Sequence, residues 1–229
     1  MARLTLDVPH YYQERGTNLC SLWCLKMVYE YYGLHREVPD LLAEVQRIPT
    51  GVYIQEIARH ALGNGFAVEL WTRDTTRLPV AYERLSQEEV MADLRQRLVE
   101  EELGEKQRAY LEGLLGFLEQ GGRLRVGVPT LADPIERDLA AGHPLICSLD
   151  LKALYGSRGL DVGWPPAHRL GQVGHYVVVS GLDDDAVTVN DPAPYPGGLV
   201  AYPPAQFLYS LYSYQGYVLS LRPAEGAEG

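Results

Sequence analysis

Residues 20–32, CSLWCLKMVYEYY, constrain this chain more than any other stretch. Wound as a helix, they carry apolar or aromatic side chains at Leu22, Leu25, Met27, Val28, Tyr31 and Tyr32. Those positions cover both faces, and a helix with no polar side has to be enclosed by the rest of the protein. Thr17 or Asn18 is placed to cap its start, and Gly33 supplies a stop. The chain has 229 residues, enough to build a sizeable core around such a helix.

The remaining pattern says what that core contains. VPDLLAEVQRI and VYIQEIARHAL predict two further helices, and GFAVELW (65–71) a short strand. The stretch 86–120, SQEEVMADLRQRLVEEELGEKQRAYLEGLLGFLEQ, is rich in Glu, Arg, Leu and Gln and predicts two charged helices broken near Gly104. Ser86 followed by Glu89 fits a capping box. This segment, at about 86–121, is expected to be a helical insertion packed on one domain that spans residues 1–229. It is either a solvated hairpin or a lid over a cleft. TLADPIERDLAAGHP predicts a short helix ending at Gly142, and PLICSLD (144–150) a buried strand. Residues 155–174 are crowded with Gly and Pro and predict a long loop. HYVVVSGL and AVTVNDP, separated by DDD, predict a hairpin, and GLVAYP and GYVLSL two more strands. Helices first and an antiparallel sheet later is an α+β order.

Charge and length exclude several functions. The formal net charge is −10 and no Lys/Arg run stands out, which argues against nucleic acid or an anionic membrane as partner. If charge selects anything, an acidic surface favours basic peptides. No apolar run approaches the ~18 residues of a membrane span. MARLTLDVPHYYQ has no signal-peptide character, so the expected location is cytoplasmic. Cys20, Cys24 and Cys147 are too few, and odd in number, for a disulfide framework. No second Cys pair at ligand spacing suggests a metal, and nothing suggests a cofactor.

Cys20 raises the chemical question. A thiol in the first turn of a helix faces the positive end of the macrodipole and its unpaired N–H groups, which favours the thiolate. Cys24 lies one turn further in and reads as packing, although neighbours at i and i+4 also allow a redox pair. A thiolate nucleophile needs a base, and the base an orienting group. Of six histidines (10, 35, 60, 143, 168 and 175), His175 opens a strand directly after the Gly/Pro-rich loop, where an imidazole is held rigidly beside a cleft. The next strand ends in Asp191, which antiparallel pairing brings beside the start of the first. Asp191 can then fix the tautomer of His175. Acyl transfer also needs donors for the oxyanion. The backbone N–H of Cys20 and the side-chain amide of Gln13 are candidates. Tyr11, Tyr12, Trp23 and Trp164 are candidate cleft aromatics, or simply core.

These residues carry a resemblance. VPHYYQ followed by LCSLWCLKMVYEYYG, and then GHYVVVSGLDDDAVTVNDP, resemble in order the two motifs of the papain-like bacterial cysteine peptidases that remove double-glycine leaders from bacteriocins. The resemblance implies a papain-like fold, with an N-terminal helical part bearing the thiol packed on an antiparallel sheet bearing His and Asp. It implies Cys20 as nucleophile, His175 as general base and acid, Asp191 as orienter and Gln13 as oxyanion donor. A peptide substrate, cut after small residues such as Gly-Gly, is implied as well. A silent peptide-binding module, or an acyltransferase or deamidase using the same triad, are the alternatives. The sequence departs from the family at Ser21, where the family has Gly; a side chain there would narrow the cleft. It also has no transporter part, and so resembles the stand-alone relatives.

Overall fold

The computed structural model describes residues 4–48, 51–127, 130–155 and 173–224. In chain order it forms β1 (Leu4–Thr5), α1 (Cys20–Tyr31), α2 (Val38–Glu44), α3 (Ile54–Gly63), β2 (Phe66–Thr72), α4 (Gln87–Glu100), α5 (Glu105–Glu119), β3 (Arg123–Val126), α6 (Ala132–Ala140), β4 (Leu145–Asp150), α7 (Leu151–Tyr155), β5 (Gly174–Leu182), β6 (Val187–Asp191), β7 (Gly198–Tyr202), α8 (Pro204–Tyr212) and β8 (Tyr217–Pro223). The class is α+β.

Eight strands make one sheet in the order β3-β2-β8-β4-β5-β6-β7, with β1 pairing the far end of β5. Both faces are covered, which is why its central strands read as unbroken apolar runs. Alternation along each strand splits the core in two. Ile146, Val178, Leu219 and Leu221 face the layer of α1, α3, α4 and α5, with Leu22, Met27, Ile57 and Phe117. Cys147, Val177, Val179 and Val218 face α6, α7 and α8, with Leu139, Leu154, Phe207 and Leu211. The apolar helix α1 lies inside the first layer, where Leu22, Leu25, Met27 and Val28 are fully enclosed.

The structure corrects the sequence reading in three places. First, neither Thr17 nor Asn18 caps α1. Its N-cap is Leu19, with no side-chain hydrogen bond, because the Thr17 hydroxyl is spent on the Glu14 carbonyl (2.7 Å) in the preceding turn. Gly33 does end the helix, at φ +79°. Second, the sheet is not purely C-terminal or antiparallel. β2 from the first half lies between β8 and β3 and runs parallel to β3, because its buried side chains Phe66, Val68 and Leu70 need a covered sheet face. Third, α7, α8 and β3 were not foreseen. α8 hides behind Pro203-Pro204, the second of which occupies the first helical turn, where a missing N–H costs nothing. Of the stretch read as a long loop, 156–172 lie outside the described residues, and with them His168 and Trp164.

The charged stretch forms the two expected helices. Ser86 and Glu89 make the reciprocal capping box, Gly104 is the N-cap of α5, and Arg95 pairs with Glu119 (2.8 Å) across α4 and α5. α5 docks on α3 through the Gln55 amide, which donates to the Tyr110 carbonyl (3.2 Å). The approach is close enough that a Cβ at Gly113 would come within 2.8 Å of Gln55 Cγ. No helix of the described residues is long and apolar enough to cross a membrane.

Candidate active site

Three segments converge. α1 packs on β5, which sets Cys20, its first residue, against His175. β5 and β6 form the antiparallel hairpin, so that His175 near the mouth of one strand meets Asp191 at the end of the other. The N-terminal segment is laced to the same strands. Leu6 N–H donates to Ser180 O (2.8 Å), Asn190 Nδ2 to Val8 O (2.9 Å) and Gln13 N–H to Pro192 O (2.7 Å). Gln13 is thereby pinned to the turn that carries Asp191.

Gln13, Cys20 and His175 line one cleft of about 390 Å³, together with Asn18, Tyr53, Tyr176, Tyr214 and Gln215. His175 Nε2 donates to Asp191 Oδ1 at 2.7 Å. This leaves Nδ1 for the thiol of Cys20, which lines the same cleft and interacts with the ring. Burial alone would push the His175 pKa down. The Asp191 charge and hydrogen bond, with the Cys20 contact, outweigh it and raise the pKa to about 10. Asp191 is fully buried and its carboxylate is held from three sides. Oδ1 also accepts from Ala193 N–H (2.9 Å), and Oδ2 accepts from the Tyr155 hydroxyl (2.5 Å). Tyr155 OH lies 3.3 Å from His175 Nε2 as well. Burial, then the neighbouring Asp191 charge, pushes the Tyr155 pKa well up, so the phenol stays a donor. Sequence reasoning missed this residue, and no local signal marks it.

The other expectations sort by environment. Cys24 and Cys147 are buried free thiols, and burial raises both pKa values. Cys20 is the thiol on the cleft. Of the other histidines, His60 is held by Tyr29 and Glu44, and His143 by Tyr32. Neither lines the cleft, nor do His10 and His35. Ser21 points inward: it is 1% exposed, and its hydroxyl is buried without a hydrogen-bond partner. It therefore does not narrow the cleft. The expected aromatics differ too. Tyr11 packs on Trp23 and donates to Glu30, and Tyr12 stands exposed against His10; the cleft tyrosines are 53, 176 and 214.

The chain matches the model of the Peptidase_C39 like family over residues 5–219. Among solved structures it is similar to a double glycine motif protease from an AMS/PCAT transporter, solved in complex with the leader peptide. Identity is 15% and the TM-score 0.51, covering 98% of this chain and 97% of that one. It is also similar to the peptidase domain of Streptococcus ComA, a bi-functional ABC transporter involved in quorum sensing. There identity is 14% and the TM-score 0.49, covering 93% and 98%. The sequence has no match among curated proteins.

Proposed function

The chain belongs to the Peptidase C39-like family, and on that premise we propose that it is a cysteine peptidase acting through Cys20, His175, Asp191 and Gln13. The observation that carries this reading is the placement of His175. Its ring touches the cleft thiol on one side and the buried Asp191 carboxylate, at 2.7 Å, on the other.

The proposed cycle uses each group once per half-reaction. The Cys20 thiolate attacks the scissile carbonyl carbon, and the carbonyl π pair moves onto oxygen. The oxyanion takes hydrogen bonds from the Cys20 N–H and the Gln13 side-chain amide. No side chain caps α1, which leaves its first amide free for this role. The C–N bond then breaks, imidazolium His175 gives its proton to the leaving amine, and a thioester remains. His175 next takes a proton from water, whose oxygen displaces the thiolate and releases the acid. Asp191 orients the ring and balances its charge throughout. The substrate is a peptide, cut after small residues such as Gly-Gly. A peptide is also what the AMS/PCAT relative holds in its complex.

Labelling with iodoacetamide at pH 6, read by intact mass, tests the nucleophile. One adduct should form rapidly, and Cys20→Ala should abolish it. Equal rates at Cys24 or Cys147 would overturn the assignment. A Cys20 that labels, with peptides bound but never cut, would make the chain a binding module.

A further inference from the structure

The chain carries a net charge of −10, yet the cleft has the opposite sign. Besides His175, the described residues lining it include two cations, Arg77 and Lys106, and no carboxylate. The cations come from separate parts of the fold. Arg77 follows β2, and Lys106 lies in the first turn of α5, whose docking on α3 brings it beside Tyr53. The Tyr53 hydroxyl donates to the Lys106 carbonyl (3.4 Å).

Arg77 is held but not used up. Its guanidinium stacks on the Tyr110 ring, 4.9 Å from the centroid. Among the described residues it forms one ion pair, with the buried Asp74 at 3.7 Å, which is beyond hydrogen-bond distance. Asp74 is occupied by others: Oδ2 accepts from Tyr217 OH (3.0 Å) and Oδ1 from Thr76 N–H (3.1 Å). No hydrogen bond to a described residue occupies the guanidinium donors, and Arg77 lines the cleft. Lys106 has no ion pair with any described residue and is exposed. The path to the thiol runs over tyrosines. The Tyr214 ring lies so close to Gly174, the neighbour of His175, that a Cβ there would come within 2.6 Å. Tyr214 and Tyr176 line the same cleft as Arg77 and Cys20.

We propose that the cleft selects peptides bearing a carboxylate close to the scissile bond, held by Arg77 and Lys106. This rests on the peptidase reading, and it reverses the preference suggested by the net charge. Arg77 offers a planar, preorganised fork that suits a carboxylate, and Lys106 adds a mobile point charge at the rim. The carboxylate belongs to an Asp or Glu side chain or to a free C-terminus.

The test separates binding from turnover. Cys20→Ala protein is titrated, by fluorescence anisotropy, with four fluorescein-labelled peptides sharing an Ala-Leu-Gly-Gly-Ala centre. One has flanking glutamates and an amidated C-terminus. The second has glutamines and a free C-terminus, the third glutamines and an amide, and the fourth lysines and an amide. The first or second should bind ~5–10-fold more tightly than the third, the stronger of the two naming the source of the carboxylate. The lysine peptide should bind weakest. The preference should shrink from 50 to 500 mM salt, since exposed charges are screened. Lys106→Glu, at an exposed position, should erase it, and Arg77→Gln by itself should weaken it. Equal affinities, a preference for lysine, no measurable binding, or a preference unmoved by Lys106→Glu overturns the proposal. If the wild type leaves every peptide intact while Cys20→Ala still prefers the carboxylate, the peptidase reading falls and the carboxylate site stands.

Discussion

The Tyr155 hydroxyl donates to Asp191 Oδ2 at 2.5 Å, while His175 donates to the other carboxylate oxygen, Oδ1. Tyr155 ends the short helix α7, and Asp191 ends β6. Their contact closes the floor of the site: the carboxylate cannot turn without losing a buried donor.

Tyr155→Phe should therefore loosen Asp191 without removing it. Leaving Oδ2 one donor short in a buried site costs about 1–3 kcal/mol. The expected outcome is a lower thermal midpoint and a kcat reduced several-fold with KM nearly unchanged, because the lost contact lies behind the imidazole. A KM that rises while kcat holds would place Tyr155 in substrate binding instead.

Removing either member of the proposed reacting pair should be far more severe. Cys20→Ala or His175→Ala is expected to lower kcat by ~10³-fold or more, and the double variant by little beyond either single one. Cys24→Ala should leave kcat within a factor of a few and act on stability alone. Steady-state kinetics on one fluorogenic peptide compares all four.

Ser21 offers a test with the opposite sign. Its buried hydroxyl has no partner. Ser21→Ala removes a desolvated polar group and adds a better helix former, so it should raise stability by about 1 kcal/mol. Ser21→Gly removes the side chain but should destabilise by ~0.5–1 kcal/mol through backbone entropy. Neither should change kcat/KM more than about twofold, since Ser21 lies outside the cleft. A large gain in activity from Ser21→Gly would show that the side chain does obstruct the substrate.

The pH dependence follows from His175. Its ordinary pKa of 6.5 is raised to about 10 in the folded protein, so the folded state holds that proton more tightly than the unfolded chain. The stabilisation is complete below pH 6.5 and is lost as pH rises through 10. The denaturation midpoint should fall over that window, and His175→Gln should flatten the fall. In kcat/KM the descending limb, where the proposed general acid loses its proton, should lie near pH 10. Asp191→Asn should move it to lower pH.

Much of the site could be read from local pattern. A helix with apolar residues on both faces must be enclosed, so α1 and the depth of its body followed from composition alone. A thiol at the first turn, a histidine opening one β-branched strand and an aspartate closing the next are each marked by position. An antiparallel hairpin can join its ends in only one way. The capping box at Ser86 and the break at Gly104 were equally plain, because caps and helix stops are interactions between near neighbours. What the sequence hid depends on residues far apart in the chain. Thr17 looked like a cap until an upstream carbonyl claimed its hydroxyl. β2 left its own half of the chain to lie between β8 and β3. Tyr155 met Asp191, and Arg77 came to line one cleft with Lys106, only because of how α7 and α5 pack. Local periodicity and capping are written in neighbouring side chains. The sign of the cleft and the floor beneath the imidazole arise from packing, which no short window of sequence contains.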